Sequence, residues 1–329
     1  AKSMHHLHNF LKHFGANQSL LAELSFLVGD HADFVFLNTD GSGRKRDLEN
    51  IEFLVSKFKP DVVFSETCPS RLNFVNLQRS YFYTSFRSDV SLIEAFVLRK
   101  FWKMLGFLSS ERGEVVNLGE DYTYAVHLAA DEGIRVVLGD RDIWTSLQRG
   151  WEFLTWIERI RLAMNLLAVA TLWHKVSSRV LQLQTVQQGY DAISRAILSL
   201  AYRYPALSTI LDEHKEYVRL SVACLDKASE KLAPDGGSLF QRSQINHPCG
   251  CERGLVLVVI GSEKVKYCIQ NWGKPGNKKQ LAKRPAHGIS SSLSIIIGTI
   301  LCIFCSSVLY AGILLNSKRT ATLHELSVF

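Results

Sequence analysis

Twenty-seven consecutive residues without a charge, Ile289 through Leu315, constrain this chain more than any other feature. They read ISSSLSIIIGTILCIFCSSVLYAGILL. A helix needs about 20 apolar residues, at about 1.5 Å each, to cross the hydrocarbon core of a bilayer. The run is therefore long enough to span with some tilt, and helices buried in a soluble core are seldom charge-free for so long. It is read as a single transmembrane helix. Ser290, Ser294 and Gly298 fall on one face of it, a spacing compatible with helix pairing in lipid.

Charge placement orients the span. Lys274, Lys278, Lys279, Lys283 and Arg284 precede it, and Lys318 and Arg319 follow. Excess positive charge marks the cytosolic flank, so residues before the span are expected to face the cytosol, with a short tail beyond the membrane. That is a tail-anchored layout, and the visible start, AKSMHHLHNFLKHF, lacks an apolar stretch of signal-peptide quality. The chain carries a formal charge of +7, but residues 264–329 hold nine Lys/Arg against one acid. The body before them is close to neutral, which argues against a nucleic-acid partner. Seven cysteines in 329 residues imply no disulfide framework.

The body predicts a mixed α/β domain over 1–272, a basic Gly/Pro/Lys linker over 273–288, the span over 289–315 and a tail over 316–329. Leu20, Leu21, Leu24 and Leu27 predict a helix over 18–30. Phe34–Leu37 predicts a strand, Leu48–Phe58 a helix stopped by Pro60, and Asp61–Phe64 a parallel strand, together a βαβ pattern. Further helices are expected over 88–107, 120–132, 143–200 and 206–232, and strands over 115–118, 134–138 and 254–260. Leu162–Trp173 is charge-free for twelve residues, too short to span, and is read as a buried core helix or a dimer surface.

Clefts form at strand ends in α/β sheets, so polar residues there are the site candidates. The strand 61–64 leads into Glu66 and Arg71, and 134–138 leads into Asp140 and Arg141. Glu120 opens a helix, and 254–260 leads into Gly261-Ser262-Glu263-Lys264. Carboxylates facing guanidiniums can bind a ligand or shift each other's pKa, although the commoner use of such a set is a buried ion-pair network. Cys249 and Cys251 lack a second ligand pair for zinc. Cys302 and Cys305 lie within the span, and His5, His6, His8 and His13 sit at the start of the chain. GSGRKR (41–46) lacks the Lys-Ser/Thr of a phosphate loop and is read as a solvated turn.

These residues carry a family resemblance. GEDYTYAVHLAADEGIRVVLGDRDIWTSLQRGW (119–151) resembles the TraB (PrgY, Tiki-like) family's Gly-Glu helix, strand and Asp-Arg motif, with Thr145 and Arg149 following. KPDVVFSETCPSR (59–71) resembles the block that carries its Glu and Arg, here Glu66 and Arg71. RYPAL (203–207) and GLVLVVIGSEKV (254–265) resemble later blocks in the right order. The resemblance covers roughly 33–272. It implies, for catalytic members, a divalent metal held by two Gly-x-x-His turns, with the glutamate acting beside it.

The chain departs at both turns. Thr39-Asp40-Gly41-Ser42 puts Ser42, and Gly261-Ser262-Glu263-Lys264 puts Lys264, where the histidines belong, and the family's later Glu-Arg is Glu213-His214. A serine hydroxyl is a poor ligand, and a protonated lysine is repelled by a cation. The expectation is therefore no bound metal, no cofactor and a pseudoenzyme, with His31 as the one offset substitute ligand. A remnant pocket would hold Glu66, Glu120, Asp140, Arg141 and Arg71. The rival expectation is a metal-dependent hydrolase using Glu66 with other ligands. By resemblance to tail-anchored members, the mitochondrial outer membrane is the first expected location and the endoplasmic reticulum the second. The expected partners are the membrane and other proteins, with a homo-oligomer as a further use of the apolar stretch.

Overall fold

The strand Gly254–Gly261 (β5) organises the sheet, because seven of its eight residues are buried. A computed structural model describes residues 18–69, 71, 72, 119–162, 164, 194, 197, 198, 201, 202, 204–231 and 254–283. Within these, α1 (Gln18–Glu23) leads into β1 (Leu24–Val28) and β2 (Ala32–Thr39). Next come α2 (Lys45–Phe53), a π-helical turn at Leu54–Phe58, and β3 (Val62–Ser65). They are followed by α3 (Glu120–Asp131), β4 (Arg135–Leu138), α4 (Ile143–Phe153) and α5 (156–162). The remaining elements are a 3-10 turn at Pro205–Leu207, α6 (Ser208–Lys231), β5, α7 (Ser262–Gln270) and α8 (Lys278–Ala282). The expected regions 88–107, 115–118 and 289–315 lie outside the described residues, as does most of 162–173. Among the described residues, no helix is long and apolar enough to cross a membrane.

The result is a mixed α/β domain with a five-stranded sheet in the order β1-β2-β5-β3-β4. β1 pairs antiparallel with β2, and the other neighbours are parallel. The central strands are apolar on both faces because helices cover both. Val35, Leu37, Val63, Leu257 and Val259 face one core, shared with Ile51, Leu54, Tyr122 and Ala125. Phe34, Phe36, Phe64, Val256 and Val258 alternate to the other core, shared with Val218, Val222, Leu225 and Val265.

The expectation of one helix over 18–30 needed correction. The 18–30 stretch is a helix only to Glu23, after which Leu24–Val28 runs as an edge strand. Leucines at 20, 21, 24 and 27 satisfy a helical period. Strand pairing wins because Phe26 and Leu27 then reach opposite cores. The turn that follows is closed by Asp226 of α6, whose carboxylate accepts the amides of Asp30, His31 and Ala32 at 2.9–3.0 Å. The expected βαβ unit is present, with β2 and β3 parallel in one sheet and β5, arriving from about 190 residues later, lying between them.

The helix expected over 143–200 is broken at Leu154 and Thr155. Thr155 starts α5 as a capping box. Its amide and hydroxyl both donate to Glu158 Oε2, at 2.8 and 2.7 Å, and its hydroxyl accepts from the Glu158 amide. Inside the stretch read as a linker, α8 packs on α6, and the Leu281 carbonyl accepts from Arg141 at 3.2 Å.

Candidate functional site

The parallel strands deliver their polar followers to one edge of the sheet. β3 ends in Ser65 and passes to Glu66, whose amide donates to Val259 of β5 at 3.1 Å, carrying the ladder one residue further. Gly139 and Asp140 after β4 donate to the carbonyls of Ser65 and Thr67. No side chain fits at Gly139, because a β-carbon there would run into the Phe64 ring. These backbone contacts bring Glu66 and Asp140 to one place although 74 positions separate them in sequence.

Glu66 is fully buried. Its Oε2 accepts the Gly261 amide at 3.0 Å, and its Oε1 lies 2.9 Å from Lys264 Nζ. Lys264 is itself 1% exposed and also pairs with Glu263 at 2.7 Å. Ser194 donates to Glu263 at 2.6 Å and lies 3.4 Å from the ammonium. On the other side, His214 Nε2 from α6 is 2.7 Å from Asp140 Oδ1 and 3.7 Å from Glu66 Oε1. Arg71 pairs with the second oxygen of Asp140 and donates to the Glu66 carbonyl at 3.2 Å.

Electrostatics follow from this geometry. Burial alone would raise the Asp140 carboxyl. The His214 imidazole and the Arg71 guanidinium outweigh it and hold the group well below the usual carboxylate range. For Arg71, burial works against the charge, but Asp140 more than compensates and the guanidinium is held still more firmly protonated. The buried Cys268 thiol is pushed up to about 12 by burial and then by the Glu66 charge, so it is no nucleophile.

Arg141 points elsewhere. Its Nη1 donates to Glu213 Oε2 at 3.1 Å and its Nε to Ser146 at 3.0 Å. Arg149 of α4 grips the same Glu213 with two nitrogens. Burial would raise the Glu213 carboxyl, but bonds from Arg149 and Arg141 hold it low. This second ion-pair group ties α4, α6 and α8 together.

Glu120 does not join Glu66 in any described contact. Its carboxylate lies against Gly43 of the first turn. That turn is anchored rather than simply solvated. Gly41 and Gly43 take positive φ, the Gly41 carbonyl accepts from Gly119, and the Gly43 amide donates to Asp121 Oδ1 at 2.6 Å. Asp40, Asp47 and Asp121 gather around it. Burial and then the Asp47 charge push the Asp121 carboxyl up to about 7, and burial also raises Asp47.

Of the five site residues read from the sequence, Glu66, Arg71 and Asp140 form one cluster, Arg141 belongs to the neighbouring one, and Glu120 to the first turn. Lys264, Glu263, His214 and Asp121 complete these groups. Glu263 and Lys264 were readable as followers of the last strand, Lys264 and His214 also as departures from the motifs the chain resembles, and Asp121 carried no signal beyond its place in the first turn of a helix. His31 cannot stand in for Ser42, because it lies at the opposite end of β2. Eight strand residues separate the two ends by roughly 25 Å.

The residues do not fit a divalent metal. Lys264, where the resemblance would put one histidine, rests its ammonium on Glu66, and Ser42, where it would put the other, donates its hydroxyl to Asp40 at 2.8 Å. Among the described residues, no group of three or more His, Cys, Asp or Glu is arranged to hold a metal ion. Comparison with protein-family models and with curated proteins finds no match for this chain.

Proposed function

We propose that this chain is a membrane-anchored protein whose TraB-like domain acts as a cytosol-facing scaffold or tether rather than as a metallopeptidase. The observation that carries this reading is the ion pair between Lys264 and Glu66, 2.9 Å apart, with both side chains shut away from solvent. A glutamate working as a general base must be able to reach a water or a substrate proton. Here one carboxylate oxygen takes the Gly261 amide and the other lies on the ammonium. His214 and Arg71 are likewise engaged with Asp140. The cluster reads as a pin that joins β3, β4, β5 and α6, kept where related chains would place chemistry. The charge-free run 289–315 supports the anchor, and its basic approach supports a cytosolic body. The outer mitochondrial membrane is the first location to examine and the endoplasmic reticulum the second.

Metal analysis of the full chain, purified in detergent without chelator, tests the reading. Far less than one zinc, manganese or cobalt per chain is expected, even after an excess is offered. About one metal per chain, lost on Glu66→Gln, would replace the scaffold with a metal-dependent hydrolase. Alkaline extraction of membranes should leave the chain in the pellet, and protease added to intact organelles should remove the body. A protected body would reverse the topology.

A further inference from the structure

α5, together with the helical Met164 just past its stated end, presents an apolar stripe to solvent. Trp156 is 70% exposed, Ile157 53%, Ile160 43% and Met164 51%. At about 100° per residue these positions fall within a single arc of about 100°. The opposite side is the one that packs, since Leu162 is buried in the core beside Trp151 and Leu154. Arg161 is exposed at the edge of the stripe. Arg159 is held back on the body, with its guanidinium over the Trp151 ring and bonded to the Trp151 and Glu152 carbonyls.

We infer that this stripe lies in the interfacial zone of the membrane that the 289–315 run enters, making α5 a second, in-plane contact. The inference rests on the membrane-anchored reading above. Two features favour lipid over another protein. The first is reach. α8 is docked on α6, and the Leu281 carbonyl is held by Arg141. Between Lys283 and Ile289 the chain extends at most about 20 Å. The body is thus held close to the bilayer, and α5 is joined to that exit point through the Arg141–Glu213–Arg149 cluster and α4.

The second is size. The four side chains expose on the order of 450 Å² together, well below the ~800 Å² that each partner contributes to a stable protein interface. A tethered body needs much less, because the anchor supplies an effective concentration in the millimolar range. Tryptophan settles at the headgroup level, and an arginine beside it meets lipid phosphates.

The test uses the full chain reconstituted into phosphatidylcholine vesicles containing about one-fifth phosphatidylserine, with lipids brominated near the headgroup as quenchers. Trp156→Phe should remove a large share of the tryptophan quenching, and Ile157→Glu with Ile160→Glu should reduce it about as much, roughly halving it. Both variants should stay in the pellet on alkaline extraction. Quenching unchanged in Trp156→Phe, with the chain still resistant to alkali, overturns the inference and leaves the anchor standing. A chain extracted by alkali removes the anchor, and the inference falls with it. Detergent-solubilised dimers that dissociate on Ile157→Glu would assign the stripe to a second copy and also overturn the inference.

Discussion

Two groups of buried carboxylates sit in the same domain and behave oppositely. Around Glu66 and Asp140, every acid meets a cation or an imidazole, and Asp140 stays ionised well below the ordinary range. Around the first turn, Asp40 pairs with Arg44 at 3.1 Å at the surface, but the buried Asp47 and Asp121 meet mainly backbone amides and each other's charge, and Asp121 is pushed up to about 7. Asp121 is fully buried, and its Oδ2 has no hydrogen-bond partner among the described residues. Burial pushes the carboxyls of both groups up; at Asp140 the His214 and Arg71 charges outweigh it, whereas at Asp121 burial prevails and the Asp47 charge adds to it.

The largest break in this contrast should come from Lys264→Met. It leaves Glu66 and Glu263 buried without their cation, and removing one partner of such a pair costs about 3–5 kcal/mol. Denaturant unfolding of the detergent-solubilised chain, followed by circular dichroism, reads this loss. Adding Glu66→Gln and Glu263→Gln to Lys264→Met should restore most of it, because the penalty lies in the unpaired charge. If the single and triple variants are equally unstable, the ion pair is not what holds this edge of the sheet.

Asp226 shows what amides alone can do when there are enough of them. Its carboxylate takes three from the β1–β2 turn. Asp226→Ala orphans all three and should cost about 2–3 kcal/mol, with the loss centred on β1. Hydrogen exchange should show the amides of Leu24–Val28 exposed well before those of β5.

Opposite pKa shifts give opposite pH slopes. The Asp121 pKa is raised on folding, so the folded state binds the extra proton between about pH 4 and pH 7. Its contribution is greatest near pH 4, falls as pH rises to about 7, and is flat above. Asp140 is lowered, so its stabilisation is complete above about pH 4 and is lost only in stronger acid. Asp121→Asn should flatten the slope between pH 4 and 7 and stabilise the chain at pH 8 by on the order of 2 kcal/mol. Asp140→Asn should leave that slope intact and destabilise at every pH above about 4. A chemical-denaturation series across pH separates the two.

The same contrast explains what was legible from the chain itself. Apolar runs at 34–37, 61–64, 134–138 and 254–260 mark β2 to β5 because helices cover both faces of the sheet. β1 was misread because five residues satisfy a helical and a strand period equally well until a partner strand chooses. The central place of β5 was invisible, since no local pattern pairs Phe34 with Val256. Site residues at strand ends were readable as candidates, but their grouping was not. Lys264, His214 and Glu66 meet only when β5 slides between β2 and β3. Asp226 did carry a signal, for it continues the apolar stripe Val218, Val222 and Leu225 on α6. A lone acid on such a stripe needs a fixed partner, here the amides of a turn far away in sequence.

The smallest effect concerns the one charged contact in this set that faces water. Thr155 and Glu158 satisfy each other and the start of α5 at the surface. Thr155→Ala removes a cap worth about 1 kcal/mol in an exposed helix. Because α5 is short and, among the described residues, is held to the body mainly by Leu162 in the core and by Arg159 over Trp151, the loss should appear as local fraying rather than as a shift of global unfolding. The amides of residues 157–160 should then exchange faster in detergent while those of α6 are unchanged. In vesicles containing anionic lipid the difference should shrink, since a helix lying in the interface gains order from the lipid itself. Equal fraying in detergent and in vesicles would mean that α5 meets water in both, so this surface cap also gauges whether the stripe beside it is covered.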